Sequence, residues 1–180
     1  MRMETVRLIL RPWEEADAQA LYRYAKDERV GPQAGWAPHP SVEYSREIIR
    51  TVLSQPETYA VVLKRTGEPV GSVGLMFPPG GSAPMQEGEA EIGYWLGAPH
   101  WGQGLIPEAV FRLQRRCFAE LGCRAVWATY FAGNERSRRV MEKCGFRHQC
   151  AGVGADMLGA MRTEHYTRLT REEYWQSMEG

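Results

Sequence analysis

Two glycines separated by one residue, Gly102-Gln103-Gly104, stand between a strand-like segment and the longest amphipathic stretch of the chain. In residues 89–96, Ala90, Ile92, Tyr94 and Leu96 share one face, while Glu89 and Glu91 share the other. Residues 107–121 put Val110, Phe111, Leu113, Gln114, Cys117, Phe118 and Leu121 at helical spacing. Pro107 suits the first turn of that helix and Gly122 its stop. Residues 124–130 then read as a second strand. Strand, tight turn, helix and strand together form a parallel crossover, which is right-handed in nearly all folds. An α/β layer design with a mixed sheet accommodates it.

The rest of the chain supplies further strands and helices. Residues 6–11 alternate as a half-buried strand that Pro12 ends, and residues 14–26 follow as a helix with Ala16, Ala20, Leu21 and Tyr24 on one side. Residues 30–40 are rich in Gly and Pro and read as irregular. Ser41 caps a helix over 41–54, whose buried stripe is Val42, Ile48, Ile49, Val52 and Leu53. Strands 59–64 and 69–76 form a hairpin through Arg65-Thr66-Gly67-Glu68, and residues 77–88 form a loop. Asn134 caps a helix that ends at Gly145. Strand 146–151, a glycine-rich loop over 151–160, strand 162–169 and a short helix capped by Thr170 close the chain. This reading gives one domain over 1–180, with a sheet of six to seven strands and four to five helices. No repeat or linker divides it.

Lys plus Arg count 22 and Asp plus Glu also count 22, so the formal charge is zero. That balance argues against a nucleic-acid partner. No apolar run has the length of a membrane span, and the opening residues lack a signal-peptide pattern, so the expected location is cytoplasmic. Cys117, Cys123, Cys144 and Cys150 show no metal or redox spacing and read as reduced thiols. The four histidines are scattered, and no metal is expected.

Two glycines before a helix leave backbone amides uncovered, and the helix start directs further N–H groups and its dipole into the same space. A pyrophosphate is the expected guest. The pattern is neither a dinucleotide-binding G-x-G-x-x-G nor a Walker loop. Taken alone it is equally a tight strand-to-helix turn.

The wider pattern runs Ala90-Glu91-Ile92-Gly93-Tyr94-Trp95-Leu96, Trp101-Gly102-Gln103-Gly104, Glu108-Ala109, Asn134-Glu135-Arg136-Ser137 and Glu142-Lys143-Cys144-Gly145-Phe146. It is joined by the opening Arg7-Leu8-Ile9-Leu10-Arg11-Pro12 and the closing Leu169-Thr170-Arg171-Glu172-Glu173-Tyr174. In this order and spacing it resembles the GNAT N-acetyltransferase superfamily, in particular its RimJ/RimL-like branch. The resemblance implies two splayed central parallel strands and acetyl transfer from acetyl-CoA to an amine. It implies that the pantetheine arm pairs with the backbone of Tyr94, Trp95 and Leu96. The pyrophosphate would lie on Trp101, Gly102, Gln103, Gly104, Leu105, Ile106 and Pro107. Trp101 stands where the family often has Arg or Gln, and Ile106 where it often has Gly or Ala. Asn134 matches a family asparagine beside the cofactor, though an N-cap is an equal role for it. Many relatives carry a tyrosine, the acid for the departing thiolate, where this chain has Met141. The branch places a serine at the position of Ser137, which equally could bond back to its own helix. Arg139 is the resemblance-based choice for the 3′-phosphate.

An acetyl transfer needs a neutral amine, and a carboxylate can take its proton directly or through water. Glu91 stands where several relatives place this base, with Glu89 behind it; either one could instead be a surface carboxylate or fix a neighbouring loop. The acceptor is a peptide N-terminus or a small amine, bordered by the loops around Trp36 and 78–88. The competing class is a non-catalytic acyl-CoA-binding module. Monomer and homodimer both remain open.

Overall fold

The structure is a computed structural model that describes residues 1–180. Its strands are β1 (Met3–Glu4), β2 (Leu8–Arg11), β3 (Thr58–Leu63), β4 (Pro69–Met76), β5 (Glu89–Leu96), β6 (Ala125–Phe131), β7 (Arg147–Ala155) and β8 (Met161–Thr170). Its helices are α1 (Ala18–Ala25), α2 (Gly31–Ala34), α3 (Val42–Thr51), α4 (Leu105–Arg115), α5 (Glu135–Lys143) and α6 (Arg171–Met178). The strands make one mixed sheet in the order β1-β2-β3-β4-β5-β6-β8-β7. No helix is long and apolar enough to cross a membrane. The chain groups into two compact units, Met1–Gly74 with Tyr94–Ala109, and Leu75–Gly93 with Val110–Gly180.

In the first unit β1, β2 and β3 run antiparallel, and β3 pairs antiparallel with β4. Alternation puts Leu8 and Leu10 fully inside. Trp13, Ala18, Leu21, Ala25, Ile49, Ala60 and Val62 form one buried cluster, with Trp36 and Trp95 packed against it. The indole of Trp13 donates to Ser72 Oγ at 3.1 Å, so its polar edge is satisfied inside the core. Arg11 holds buried Asp17 with two bonds, at 2.7 and 2.9 Å, where the chain enters α1. Ser41 accepts from Tyr44 N and caps α3 as its sequence position predicts.

In the second unit β5 pairs in parallel with β6 over Glu89–Ile92 and Ala125–Ala128. β8 lies antiparallel between β6 and β7. Val110, Leu113, Cys117 and Phe118 fill the space under the sheet, and Phe118 meets Tyr174 of α6 at 4.8 Å between ring centres. Gln114, 1% exposed, donates to Cys144 O at 2.8 Å, which closes one carbonyl at the end of α5.

Several sequence expectations are corrected. An eighth strand, β1, escapes notice because two residues cannot show alternation. The Gly/Pro-rich stretch forms one helical turn, α2, stopped by Gly35 at φ 89°. The helix after Asp17 starts at Ala18, preceded by a 3-10 turn; Ala16 is exposed, and Asp17 takes the inner place beside Arg11. α3 ends at Thr51, so Val52 is exposed rather than part of a stripe. The long helix starts at Leu105, not Pro107, and widens into a π turn at Arg116–Glu120. Phe111, on the flank of the regular part of the helix, and Leu121, just past the π turn, lie outside, 42% and 38% exposed. The expected loop over 151–160 is instead the far half of a β7–β8 hairpin. β7 is exposed along its length, so ladder bonds rather than burial hold it, and no hydrophobic alternation announces its continuation past Ala151.

Candidate active site

In the first unit, β5 leads into a 3-10 turn, Ala98–His100, and then into the glycine loop. Trp101 folds back, its indole donating to Leu96 O at 2.8 Å. Gly102 and Gly104 both take φ 75°, a left-handed value that side chains resist. Arg7 donates to Gln103 O at 2.8 Å and turns that carbonyl toward itself. Arg7 also donates to Glu108 from its backbone N (2.8 Å) and its Nε (2.7 Å), and Thr5 donates to the same carboxylate at 2.5 Å. Burial works against the charged form of Glu108, but these donors outweigh it and hold the carboxyl below the usual range. The start of α4 is therefore pinned. Glu108 N bonds Gly104 O, whereas helix geometry leaves the N–H groups of Leu105 and Ile106 without intrahelical acceptors. Pro107 has none to give. The side chains of Leu105, Ile106 and Pro107 are buried, so this site offers backbone. A cavity of about 420 Å³ flanks the loop, lined among others by Arg7, Lys64, Arg65 and Gln103.

Tyr94 and Trp95 are half-buried, and Leu96 is buried. Trp95 stacks on Trp13 (6.4 Å, 17°) and meets Trp36 edge-on (5.8 Å, 73°). A Cβ added to Gly71 would lie 2.3 Å from Trp95 O, so this part of β5 needs glycine beside it. Glycine inside a strand pattern, here Gly71 with Gly74 in β4, is the signal that could have shown this in the sequence. Nearby His39 is buried, with Nδ1 at 2.8 Å from Ser45 Oγ, and burial pushes its pKa down to about 4.

In the second unit, Glu89 and Glu91 are buried, 3% and 4% exposed, and both grip the loop 77–88. Glu91 Oε2 accepts from Ser82 N (2.7 Å) and Ala83 N (2.8 Å). Its Oε1 meets only hydroxyls, Ser82 Oγ at 3.2 Å and Thr129 Oγ1 at 3.4 Å. Ser82 Oγ also lies 2.7 Å from Glu164 Oε1, and Tyr166 OH donates to Glu164 Oε2 at 3.2 Å. One serine proton thus faces two carboxylates. Glu89 accepts from Gln86 N (3.0 Å), Trp127 Nε1 (2.8 Å) and Arg168 Nη2 (2.5 Å). Burial penalises its charge, yet these donors prevail and its carboxyl stays below the usual range. The backbone donors to both glutamates sit in an aperiodic loop, where spacing carries no signal, and their other partners sit on β6 and β8.

Asn134 Oδ1 accepts from Ser137 N at 3.2 Å and caps α5. The cap uses the oxygen alone, so the carboxamide keeps its Nδ2 donors. Ser137 is half-buried, whereas Met141 is 2% exposed and receives Thr167 Oγ1 at 3.5 Å. Arg139 is exposed, and the ion pairs along this helix go to Arg138, with Glu135 and Glu142. Burial raises the pKa of Tyr130 and Tyr166, with Glu164 adding to the latter, so both phenols stay protonated at neutral pH. No group of three or more His, Cys, Asp or Glu is placed to hold a metal ion.

A family model described as "Acetyltransferase (GNAT) domain" matches residues 7–147. An N-acetyltransferase named p20 from Bacillus licheniformis is 31% identical over 150 residues, covering 81% of this chain and 82% of that protein. A GCN5-related N-acetyltransferase structure from Brucella melitensis superposes with TM-score 0.82 at 20% identity, covering 97% of this chain and 80% of that one. A ribosomal-protein-S5-alanine acetyltransferase structure from Vibrio fischeri gives 0.74 at 19% identity, covering 97% and 98%. The family model and the p20 relative define an acyltransferase class. The chain belongs to the GNAT acetyltransferase family, whose members in general use acetyl-CoA and an amine acceptor.

Proposed function

We propose that this chain moves the acetyl group of acetyl-CoA to a primary amine, either a peptide N-terminal α-amine or a small amine, by direct attack in a ternary complex in the cytoplasm. The observation that carries the reading is the pinned start of α4, where Arg7 holds the Gln103 carbonyl aside and two N–H groups lack intrahelical partners. The loop from Trp101 to Pro107 takes the pyrophosphate, and the backbone of Tyr94, Trp95 and Leu96 takes the pantetheine arm. A backbone N–H of that strand polarises the attacked carbonyl. The amine nitrogen adds to the thioester carbon, the C–S bond breaks, and the CoA thiolate leaves and takes a proton.

The acceptor must shed one proton first. An α-amine, with pKa near ~8, needs less help than a lysine near ~10.4. Glu91 receives that proton through Oε1, whose contacts are hydroxyls, whereas Glu89 is committed to Arg168. Ser137 supplies a hydroxyl to the leaving sulfur, and Asn134 supplies its Nδ2 donors to the cofactor. Arg139 serves the 3′-phosphate. The deciding experiment is an acetyl-CoA turnover screen against amines and peptides, read by thiol release. Turnover with an amine supports transfer; tight acetyl-CoA binding with no thiol release for any acceptor would leave a binding module.

A further inference from the structure

β7 is the last strand of its sheet, so one long edge faces no other strand. All nine of its residues are exposed except half-exposed Gly152. Residues 149–155 carry no charge and no proline. Sheets usually guard such an edge with charge, proline, a bulge or a cover. Here a bulge between His148 and Cys150 interrupts only the first residues. At the same hairpin Val153, Met157, Leu158 and Met161 are 71%, 82%, 52% and 68% exposed. Val153 pairs with Thr163 and Ala155 with Met161, so Val153 and Met161 project from one face of the sheet.

We propose that β7 pairs antiparallel with β7 of a second copy of this chain, about a two-fold axis at Ala151, and joins the two sheets in a homodimer. The strand is complementary to itself. In this register Arg147 falls opposite Ala155 of the second copy and His148 opposite Gly154, so no like charges meet. Arg147 bonds Glu173 of α6 at 3.2 Å, which ties that helix to the start of the strand. α6 exposes Trp175 (45%) and Met178 (57%). Antiparallel pairing carries the apolar hairpin tip of one copy toward this helix of the other, twice over, as an isologous contact requires. Nine residues make an edge about 30 Å long. The exposed side chains of the hairpin tip and of α6 at its two ends add apolar area to that strip.

Sedimentation of the full chain should give a species of twice 20.4 kDa. Val153→Glu combined with Met161→Glu alters two exposed side chains; circular dichroism should stay the same while dimer affinity falls at least tenfold. Cys150 is the exposed thiol, the other three being buried. Across the axis two Cys150 residues are diagonal neighbours at about 7–8 Å. A short bis-maleimide should therefore link the copies, and Cys150→Ser should abolish the link. A single chain-mass species at high micromolar concentration overturns the proposal. So does a dimer that ignores both glutamates and resists linking through Cys150, which would place its interface elsewhere.

Discussion

At the scale of single residues, Glu91 and His39 make opposite use of burial. The Glu91 carboxylate is held by two backbone N–H groups at Oε2, which a glutamine carbonyl could also accept. Glu91→Gln should therefore leave the loop 77–88 in place and cost turnover about 10²-fold, with the deficit shrinking at high pH as the amine deprotonates unaided. A pH–rate profile of this variant, beside its acetyl-CoA affinity, separates the proton role from the anchoring role. Equal rates at every pH would leave Glu91 as an anchor alone. His39 enters the core neutral. Its folded pKa near 4 lies below the unfolded value of about 6.5, so the unfolded state binds more protons between them. Its contribution is complete above ~6.5 and disappears as pH falls toward 4, by at most ~3 kcal/mol. The melting temperature should drop across that window, and His39→Gln should flatten the drop. The sequence shows that Glu89 and Glu91 share a face, but not what they hold. Their partners Ser82, Ala83 and Gln86 lie in a loop without periodicity, and the Arg7–Glu108 pair joins residues 101 positions apart.

Among the elements, α5 starts on a residue whose side chain has two polar ends. Asn134 caps it with Oδ1, which leaves Nδ2 as a donor. Asn134→Ala should cost about 1 kcal/mol of stability through the lost cap. Asn134→Ser keeps a capping oxygen and removes the amide. If Nδ2 serves the cofactor, this variant should melt like the parent yet bind acetyl-CoA about tenfold more weakly by calorimetry, ~1.4 kcal/mol. Unchanged affinity would confine Asn134 to capping. The crossover from β5 through α4 to β6 is legible in the sequence because its strands alternate and its helix has a broad apolar stripe. The π turn at Arg116–Glu120 is not, since one wider turn shifts the stripe without changing its composition. That shift carries Leu121, just past the turn, outward. The far half of β7 is illegible for the converse reason: a strand exposed on both faces has no alternation to display.

At the scale of the whole molecule, ligand binding is read as stability. A ligand that binds only the folded chain adds about 2.7 kcal/mol at a hundred times its dissociation constant. For a chain of this length each kcal/mol raises the melting temperature by about 2–4 °C, so saturating acetyl-CoA should raise it by roughly 5–10 °C. Gly104→Val should remove most of that rise, because φ 75° excludes a β-branched residue and the loop must open. A folded Gly104→Val chain that keeps the full rise would move the pyrophosphate away from α4. Membership of the GNAT family was legible because its motifs are contiguous, whereas the division into two compact units was not. Those units exchange chain at 74/75, 93/94 and 109/110, that is, inside β4, β5 and α4 rather than in linkers. Neither unit is a continuous stretch of gene. A fragment cut at any of these three points ends inside a strand or a helix, so neither unit can be made as one uninterrupted stretch with its elements intact.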